Sequence, residues 1–143
     1  MALFNFKGGI HPFDKKEITE NLEIEKFPSP HNLYIPLLQH IGTVCDPIVS
    51  IGDRVLKGQK IGSSEGKLSV PIHSSVSGVV KGIEILPFTL RGKVNTIIIE
   101  NDFLEEELVN EKITNYKEKT KEELLDLIRE RGLVGLGGAL FPT

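Results

Sequence analysis

Short runs of apolar and β-branched residues, separated by glycine-containing turns, occupy the middle of the chain. They cover Leu33–Leu37, Ile48–Ile51, Val70–His73, Val76–Leu86 and Val94–Glu100. Runs of this length and composition predict β-strands. Apolar and polar positions alternate only roughly in the fourth run, where Gly82 predicts a bulge. The consecutive residues Ile97, Ile98 and Ile99 predict a strand that is buried on both faces.

Two glycine turns, Gly52-Asp53 and Gly58-Gln59, follow the second run. Glycine readily adopts the positive φ that a tight hairpin requires, which would let Val55 and Ile61 point inward. Many short strands joined by such turns are typical of a compact sandwich or barrel.

A helix is predicted after Thr120, because Thr120 is a good N-cap and Glu123 completes a capping box. Its apolar face would consist of Leu124, Leu127 and Ile128, with Leu125 beside them. Arg129 and Arg131 suit the negative end of the helix dipole, and Gly132 is expected to end the helix.

These elements divide the chain into four segments. Residues 1–32 are rich in glycine and proline and predict an extended N-terminal arm packed on the β-domain. Residues 33–103 form that domain, and residues 104–119 are a charged linker. Residues 120–143 contain the helix and an apolar, glycine-rich end, which we expect to continue into a further domain of a larger protein.

The composition suits a folded protein and excludes several functions. Of the 143 residues, 39% are hydrophobic and 26% charged, and the net charge of −3 offers no basic surface for nucleic acid. No apolar run approaches the roughly 20 residues that span a bilayer. The single cysteine, Cys45, rules out an internal disulfide and favours a reducing, cytosolic compartment. We therefore expect any membrane association to be peripheral and to come through a partner.

The candidates for metal or nucleophilic chemistry are weak. The four histidines are His11, His31, His40 and His73. They lack metal-ligand spacing, and we expect their rings to hydrogen-bond to turn backbone, with His40 orienting a loop. Asp46 beside Cys45 disfavours a thiolate, so a buried, unreactive cysteine is the better interpretation.

The glycine-rich end, Gly135–Thr143, is a stronger candidate for ligand binding. Closely spaced glycines let backbone N–H groups approach a ligand, and successive amides can bind an anion. The stretch is neither a Rossmann fingerprint nor a phosphate-binding P-loop. A simple structural turn is the alternative interpretation.

Two internal segments resemble each other and a known fold. Residues 49–62 and 71–83 are similar to the paired β-units of the biotinyl/lipoyl-like barrel-sandwich hybrid. In carrier proteins of that fold, a lysine on the hairpin between the units is modified, and Lys67 falls near that position. Its neighbours Glu65, Gly66 and Leu68 lack the Met-Lys-Met or Asp-Lys-Ala signature.

The order of motifs along the whole chain is more specific. Gly-x-Gly-Gly-Ala-x-Phe-Pro-Thr, at residues 135–143, resembles the flavin loop shared by the flavin- and NADH-binding subunit of respiratory complex I and the C subunit of the Rnf complex. The segments at residues 6–12, 35–42, 52–59 and 73–78 occur in that order in the Rnf protein, and complex I does not share the first two. Leu140 stands where the motif most often has glycine or a small residue.

This resemblance implies a mainly β fold with a C-terminal helix, namely a barrel-sandwich hybrid followed by the start of an α/β flavin-binding domain. It implies a parent protein with FMN and two iron–sulfur clusters that exchanges electrons between NAD(H) and ferredoxin, coupled to ion translocation. That protein would sit peripherally on the cytoplasmic side of the membrane, bound to the other subunits of the complex. The partial flavin site in this chain would be Gly135, Gly137, Gly138, Ala139 and Phe141.

On this interpretation the 143 residues form a structural and docking unit that is not catalytic alone and holds no cofactor by itself. One cysteine cannot supply the four thiolates of an iron–sulfur cluster. Two alternatives stay open: a carrier domain modified at Lys67, and a pure protein-interaction module.

Overall fold

A computed structural model describes residues 13, 15–66, 68–88, 92–110 and 112–143 of the chain. Seven strands form two sheets: β1 (Asn32–Pro36), β2 (Asp46–Pro47), β3 (Arg54–Val55), β4 (Lys60–Ser63), β5 (Ile72–His73), β6 (Gly78–Phe88) and β7 (Gly92–Asn101). Helix α1 (Lys121–Glu130) and two 3-10 turns, Lys16–Ile18 and Tyr116–Glu118, complete the regular structure. The mainly β fold with a C-terminal helix is as predicted.

The larger sheet has the strand order β1-β7-β6-β3 and the smaller one β2-β4-β5, with all pairs antiparallel. Long strands β6 and β7 form a hairpin, from the pair Gly78–Asn101 to the pair Phe88–Gly92. Their register shifts between Val80 and Gly82, which confirms the predicted bulge.

The two similar segments pair with each other. Arg54 lies opposite Val79 in the larger sheet, and Lys60 lies opposite His73 in the smaller sheet. Between these pairs, the N–H of Gly58 donates to the carbonyl of Ser74 at 2.7 Å. One segment therefore runs antiparallel to the other from sheet to sheet, which fits the predicted pairing of two similar β-units.

The core lies between the two sheets and is almost wholly aliphatic. It consists of Ile35, Leu37, Cys45, Val55, Ile61, Ile72, Val76, Val80, Ile97 and Ile99, with Leu33, Val49 and Ile83 packed against it. Val55 and Ile61 are fully buried, as the glycine turns predicted. In β7, Ile97 and Ile99 are buried on one face, whereas Ile98 on the other face is only half-buried.

Two predictions about the strands are wrong. Ile48–Ile51 is not a strand; its place is taken by β2, which ends at Pro47. The turns at Gly52 and Gly58 have the predicted positive φ, +97° and +81°, but they do not close hairpins. The reason is that strands β2, β3 and β4 around them alternate between the two sheets, so each turn is a crossing rather than a hairpin end.

Helix α1 confirms its prediction closely. The Thr120 hydroxyl accepts from the Glu123 N–H at 3.2 Å, and the Glu123 carboxylate accepts from the Thr120 N–H at 2.7 Å. The helix ends at Glu130, and Gly132 follows with φ +68°. Leu124, Leu127 and Ile128 are half-buried, whereas Leu125 is exposed.

The acidic run Glu105–Glu107 is exposed, as a surface segment should be, but it is firmly attached to the barrel. Lys57 Nζ lies 2.9 Å from the Glu105 carboxylate and 3.2 Å from that of Glu107. Arg54 binds both Asp102 and Glu106 at 3.0 Å. Backbone bonds also join Lys57 to the run, so these charges are neutralised within the chain.

The arm predicted at residues 1–32 lies partly outside the described residues, since residues 1–12 and 14 are not covered. Residues 15–30 are exposed throughout. Next to β1, the Asn101 side chain donates to the Pro30 carbonyl at 3.1 Å, and the Asn101 N–H donates to the His31 carbonyl at 2.8 Å.

Candidate functional site

The glycine-rich end folds into a small exposed hairpin, which we call the glycine hairpin (Leu133–Thr143). Val134 pairs with Pro142 in an antiparallel bridge, and the Gly135 N–H donates to the Phe141 carbonyl at 2.8 Å. A turn closes the tip, where the Leu140 N–H donates to the Gly137 carbonyl at 3.0 Å. The hairpin thus exposes a run of backbone at its tip.

The fold of the described residues does not require glycine at positions 135, 137 and 138. A Cβ added to Gly137 or Gly138 would meet nothing within 4 Å, and at Gly135 it would meet only the Phe141 carbonyl at 3.7 Å. None of the three has a left-handed φ. Neither packing nor backbone conformation therefore explains why three glycines stand here, and the space beside them is open.

The structure places the predicted flavin-loop residues together on this hairpin. Gly135, Gly137, Gly138 and Ala139 are exposed, and the Phe141 side chain is 57% exposed. Leu140, which occupies the usual glycine or small-residue position, has φ +47° and is half-buried. It adopts the left-handed conformation that glycine accepts more easily.

Arg129 of α1 attaches the helix to the barrel. Its guanidinium donates from Nη2 to the Gly66 carbonyl at 2.7 Å and from Nε to the Ser69 carbonyl at 3.0 Å. A longer contact of 3.5 Å reaches the Ser64 carbonyl. Sequence reasoning assigned Arg129 only to the helix dipole and missed this clamp, because its acceptors are backbone oxygens about 60 residues away.

The end of α1 also approaches strand β5 closely. Glu130 forms an ion pair with Lys60, and a Cβ on Gly132 would lie 2.8 Å from the Pro71 carbonyl. Burial lowers the pKa of His73, opposed by a hydrogen bond with the Glu130 backbone. His73 is therefore neutral at pH 7 and packs between the helix end and the barrel.

A buried polar cluster surrounds the loop after β1. His40 Nε2 lies 3.3 Å from the Val70 N and 3.5 Å from the Ser69 hydroxyl. Cys45 Sγ lies 3.6 Å from that hydroxyl and donates to the Val70 carbonyl at 3.3 Å. Burial is the main cause that raises the pKa of Cys45, with Asp46 adding to it and the Ser69 hydrogen bond opposing it. The prediction of an unreactive, buried cysteine is consistent with this geometry.

The other sequence candidates have ordinary surroundings or lie outside the described residues. Lys67 and His11 belong to the latter group. His31 places its ring edge-on to Phe103, with centroids 5.8 Å apart. Within the described ranges, no three His, Cys, Asp or Glu side chains come together as metal ligands.

A cleft of about 680 Å³ separates the glycine hairpin and α1 from the barrel. Gln39, His73, Arg131, Val134 and Leu140 are among the residues that line it. A second groove of about 620 Å³, beside β1, shares Gln39, His73 and Leu140. Leu140 thus lies where both concave surfaces meet.

Comparison with known proteins decides the family. The protein-family model of the RnfC barrel-sandwich hybrid domain matches residues 4–104. The chain belongs to the RnfC family. Its membership accounts for the two-sheet barrel, and the RnfC match confirms both the resemblance drawn from the motifs and the fold class.

Relatives from several bacteria match the chain over nearly its whole length. It is 43% identical over 142 residues to the C subunit of a proton-translocating ferredoxin:NAD(+) oxidoreductase complex of Clostridium ljungdahlii, covering 99% of this chain and 31% of that protein. It is 39% identical over 141 residues to a Na(+)-translocating counterpart of Acetobacterium woodii, covering 96% and 31%. The C subunit of an ion-translocating oxidoreductase complex of Vibrio cholerae is 39% identical over 145 residues, covering 99% and 18%. This RnfC-family chain thus spans at most about a third of the length of these relatives.

Proposed function

We propose that the chain is the N-terminal part of the RnfC component of an ion-translocating ferredoxin:NAD(+) oxidoreductase complex. In this role the barrel, residues 33–103, supports and docks the protein, and residues 120–143 begin a flavin-binding domain. The observation that carries the proposal is the exposed tip of the glycine hairpin, whose glycines have open space beside them. The family membership and the names of the relatives support the wider assignment.

The hairpin residues fit a flat aromatic cofactor such as FMN. Bare backbone at Gly137 and Gly138 would let an isoalloxazine ring or a phosphate approach, and a side chain there would fill that space. Phe141, which is 57% exposed, offers an aromatic surface next to it. When bound, FMN would supply the hydride and single-electron chemistry. The residues of this chain would bind and orient it and keep water from one face.

The barrel suits a supporting role. Its core is aliphatic, and among the described residues no buried side-chain polar atom lacks a hydrogen-bond partner. Arg129, Glu130 and Gly132 fix α1 and the start of the glycine hairpin to this rigid body. A rigid support matters because a cofactor loop must be held within a fraction of an ångström.

The remaining parts of the assignment concern the parent protein. It would carry FMN, two iron–sulfur clusters and the NAD(H) site, and the other subunits of the complex would be its partners. We place it on the cytoplasmic side of the cell membrane as a peripheral subunit. In the described part of the chain, α1 is the longest helix, and no helix combines the length and hydrophobicity needed to cross a bilayer.

The carrier alternative receives no support from the surroundings of Lys67. Lys67 itself lies outside the described residues, but the backbone of its neighbours is held by hydrogen bonds. Arg129 binds the carbonyls of Gly66 and Ser69, and the Thr43 N–H donates to the Leu68 carbonyl at 2.9 Å. An intact-mass measurement of the protein purified from its native host tests this alternative, because lipoate or biotin on Lys67 would add a fixed mass.

Flavin titration tests the proposal directly. FMN fluorescence quenching should show binding to the full-length protein and loss of affinity in a Gly137→Val, Gly138→Val double variant. A glycine-to-valine change at Gly92 of the barrel is not a suitable control, because Gly92 has φ +76° and valine would be strained there. Ser50→Ala, an exposed change at a residue that lines neither cleft, should leave affinity unchanged. Wild-type affinity in the double valine variant would contradict the flavin-loop assignment.

A further inference from the structure

The backbone on either side of Lys67 holds two separate elements that lead to the glycine hairpin. We call residues 64–66 and 68–70 the platform. From one side, Arg129 of α1 binds the carbonyls of Gly66 and Ser69. From the other side, His40 binds Val70. The platform therefore fixes both the helix that enters the hairpin and the loop that touches its tip.

His40 is only 2% exposed, and its two ring nitrogens have different roles. Nδ1 lies 3.1 Å from the Ile41 carbonyl, and Nε2 lies 3.3 Å from the Val70 N and 3.2 Å from its carbonyl oxygen. With the proton on Nδ1, the ring donates to Ile41 and accepts from the Val70 N–H. With the proton on Nε2, the ring donates to the Val70 carbonyl, but it binds neither the Val70 N–H nor the Ile41 carbonyl. The first tautomer satisfies more buried backbone groups and is assigned here on that ground.

Ile41 carries the connection to the hairpin tip. Its N–H donates to the Ala139 carbonyl at 3.0 Å. The other backbone hydrogen bonds of residues 135–141 in the described structure stay within the hairpin. The Ile41–Ala139 bond is thus the backbone link between the barrel and the run of glycines. The chain of contacts from the platform is Val70 to His40, His40 to Ile41, and Ile41 to Ala139.

We propose that His40 is a positioning residue for the glycine hairpin, setting the place and orientation of its tip relative to the barrel. This inference rests on the proposed flavin site and adds a residue to it. The His40 ring lines the cleft that Leu140 also borders, and its hydrogen bonds go to Ile41, Val70 and Ser69 rather than to the glycine hairpin. His40 acts through Ile41. Its ring binds the Ile41 carbonyl, and the Ile41 N–H in turn donates to the Ala139 carbonyl.

The physical reason is the burial of the groups involved. Without the imidazole, the Val70 N–H and the Ile41 carbonyl lose their partner, and the loop is free to rearrange to satisfy them. The Ala139 peptide would then turn, together with the amides of Gly137 and Gly138. A misplacement of about 1 Å can cost an enzyme a factor of about 10² in rate, so we expect amides turned in this way to bind FMN less tightly.

Two substitutions in the full-length protein separate hydrogen bonding from packing. His40→Phe keeps the ring volume but removes both hydrogen bonds, whereas His40→Gln keeps an acceptor and a donor without the ring. Val44→Ala, in the same loop, is the matched control, because Val44 is 43% exposed and is not among the residues that line either cleft. FMN affinity by fluorescence quenching and the visible circular dichroism of bound FMN are the readouts. The second reports ring environment, which a merely structural change elsewhere would not move.

We expect affinity to fall about tenfold in His40→Phe, with an altered FMN dichroism, and to recover partly in His40→Gln. Val44→Ala should match the wild type. If His40→Phe binds as tightly as the wild type with the same dichroism, the positioning role is overturned while the flavin site stands. If the full-length wild-type protein does not bind FMN, the proposed function and this inference fall together.

A second measurement on the wild type keeps the inference testable if His40→Phe does not fold. Hydrogen exchange of a peptide covering residues 39–43 should slow when FMN is added, because the ligand fixes the hairpin tip and thereby the Ile41–Ala139 bond. Unchanged exchange in that peptide, with FMN bound, would overturn the coupling between the loop and the site.

Discussion

Arg129 of helix α1 donates from Nη2 to the carbonyl of Gly66 at 2.7 Å, across more than 60 residues of sequence. This bond and its companion to Ser69 join the helix to the segment that separates the two paired β-units. The segment is therefore an attachment point for helix α1.

Replacing Arg129 by alanine should therefore loosen α1 more than it disturbs the barrel. Hydrogen bonds from a charged donor contribute roughly 1.5–3 kcal/mol each when well formed, and Arg129 is half-buried. We expect the free energy of unfolding to fall by about 2 kcal/mol. The substitution should also accelerate hydrogen exchange more in residues 121–143 than in β6 and β7. Arg131→Ala is the control, because Arg131 is exposed at the same helix end. Equal effects of the two changes would refute the clamp.

Two glycines in the last twelve residues should differ in how much stability is lost when each is replaced by alanine. Gly132 has φ +68°, and a Cβ would lie 2.8 Å from the Pro71 carbonyl, so Gly132→Ala should destabilise by more than about 1 kcal/mol. Gly138 has open space and no left-handed φ, so Gly138→Ala should change stability by less than about 0.5 kcal/mol. Urea unfolding of both variants decides the matter. A large loss in Gly138→Ala would mean that its glycine is structural and would remove support for a ligand role.

Some of this architecture could be predicted from sequence because its causes are local. The capping box of Thr120 and Glu123 needs only two residues three positions apart, and the bulge at Gly82 needs only a glycine in a strand. The barrel-sandwich class came from the resemblance of residues 49–62 and 71–83 to the paired β-units of a known fold, and not from periodicity. Strands of two residues, such as Arg54–Val55, are too short to show any alternation.

The contacts that position the candidate site could not be predicted in the same way. The glycines of the hairpin were found because residue type alone suggests exposed backbone. The partners of His40 and Arg129 are backbone groups of residues 69–70, and a backbone acceptor leaves no signature in the sequence. The assignment of β2, β3 and β4 to alternating sheets likewise depends on distant pairing, which is why the glycine turns were mistaken for hairpins.

Acid should weaken the attachment of the acidic run through Asp102. A hydrogen bond from Ser77, at 2.6 Å, is the first cause that lowers the pKa of Asp102, followed by the Leu104 N–H, with Arg54 contributing less. A pKa lowered in the folded state stabilises the protein above the unfolded value of about 3.9. This contribution is lost as the pH falls through the folded pKa.

Ser77→Ala should consequently lower the free energy of unfolding at pH 7, and its difference from the wild type should shrink at about pH 2.5. At the lower pH the carboxyl is protonated in the unfolded state and increasingly in the folded state, so its bond to Ser77 counts for less. Urea unfolding at both pH values measures this, with the exposed Ser75→Ala as control. A difference that stays constant with pH would show that Ser77 acts through contacts other than the Asp102 carboxylate, such as the hydrogen bond that its hydroxyl accepts from the Glu106 N–H.

Cys45 should be inert towards thiol reagents while the protein is folded. Its side chain is 1% exposed, and burial raises the pKa of its thiol, which keeps it protonated at neutral pH. Reaction with a disulfide reagent at pH 8 should be on the order of 10³-fold or more slower than after unfolding in urea, since it requires opening of the core. A thiol introduced by Ser75→Cys, in a Cys45→Ala background, is the exposed control and should react at the ordinary rate. If native Cys45 reacts as fast as that control, the core beside Ser69 and Val70 opens freely. The platform that holds His40 and Arg129 would then be too mobile to position a cofactor loop.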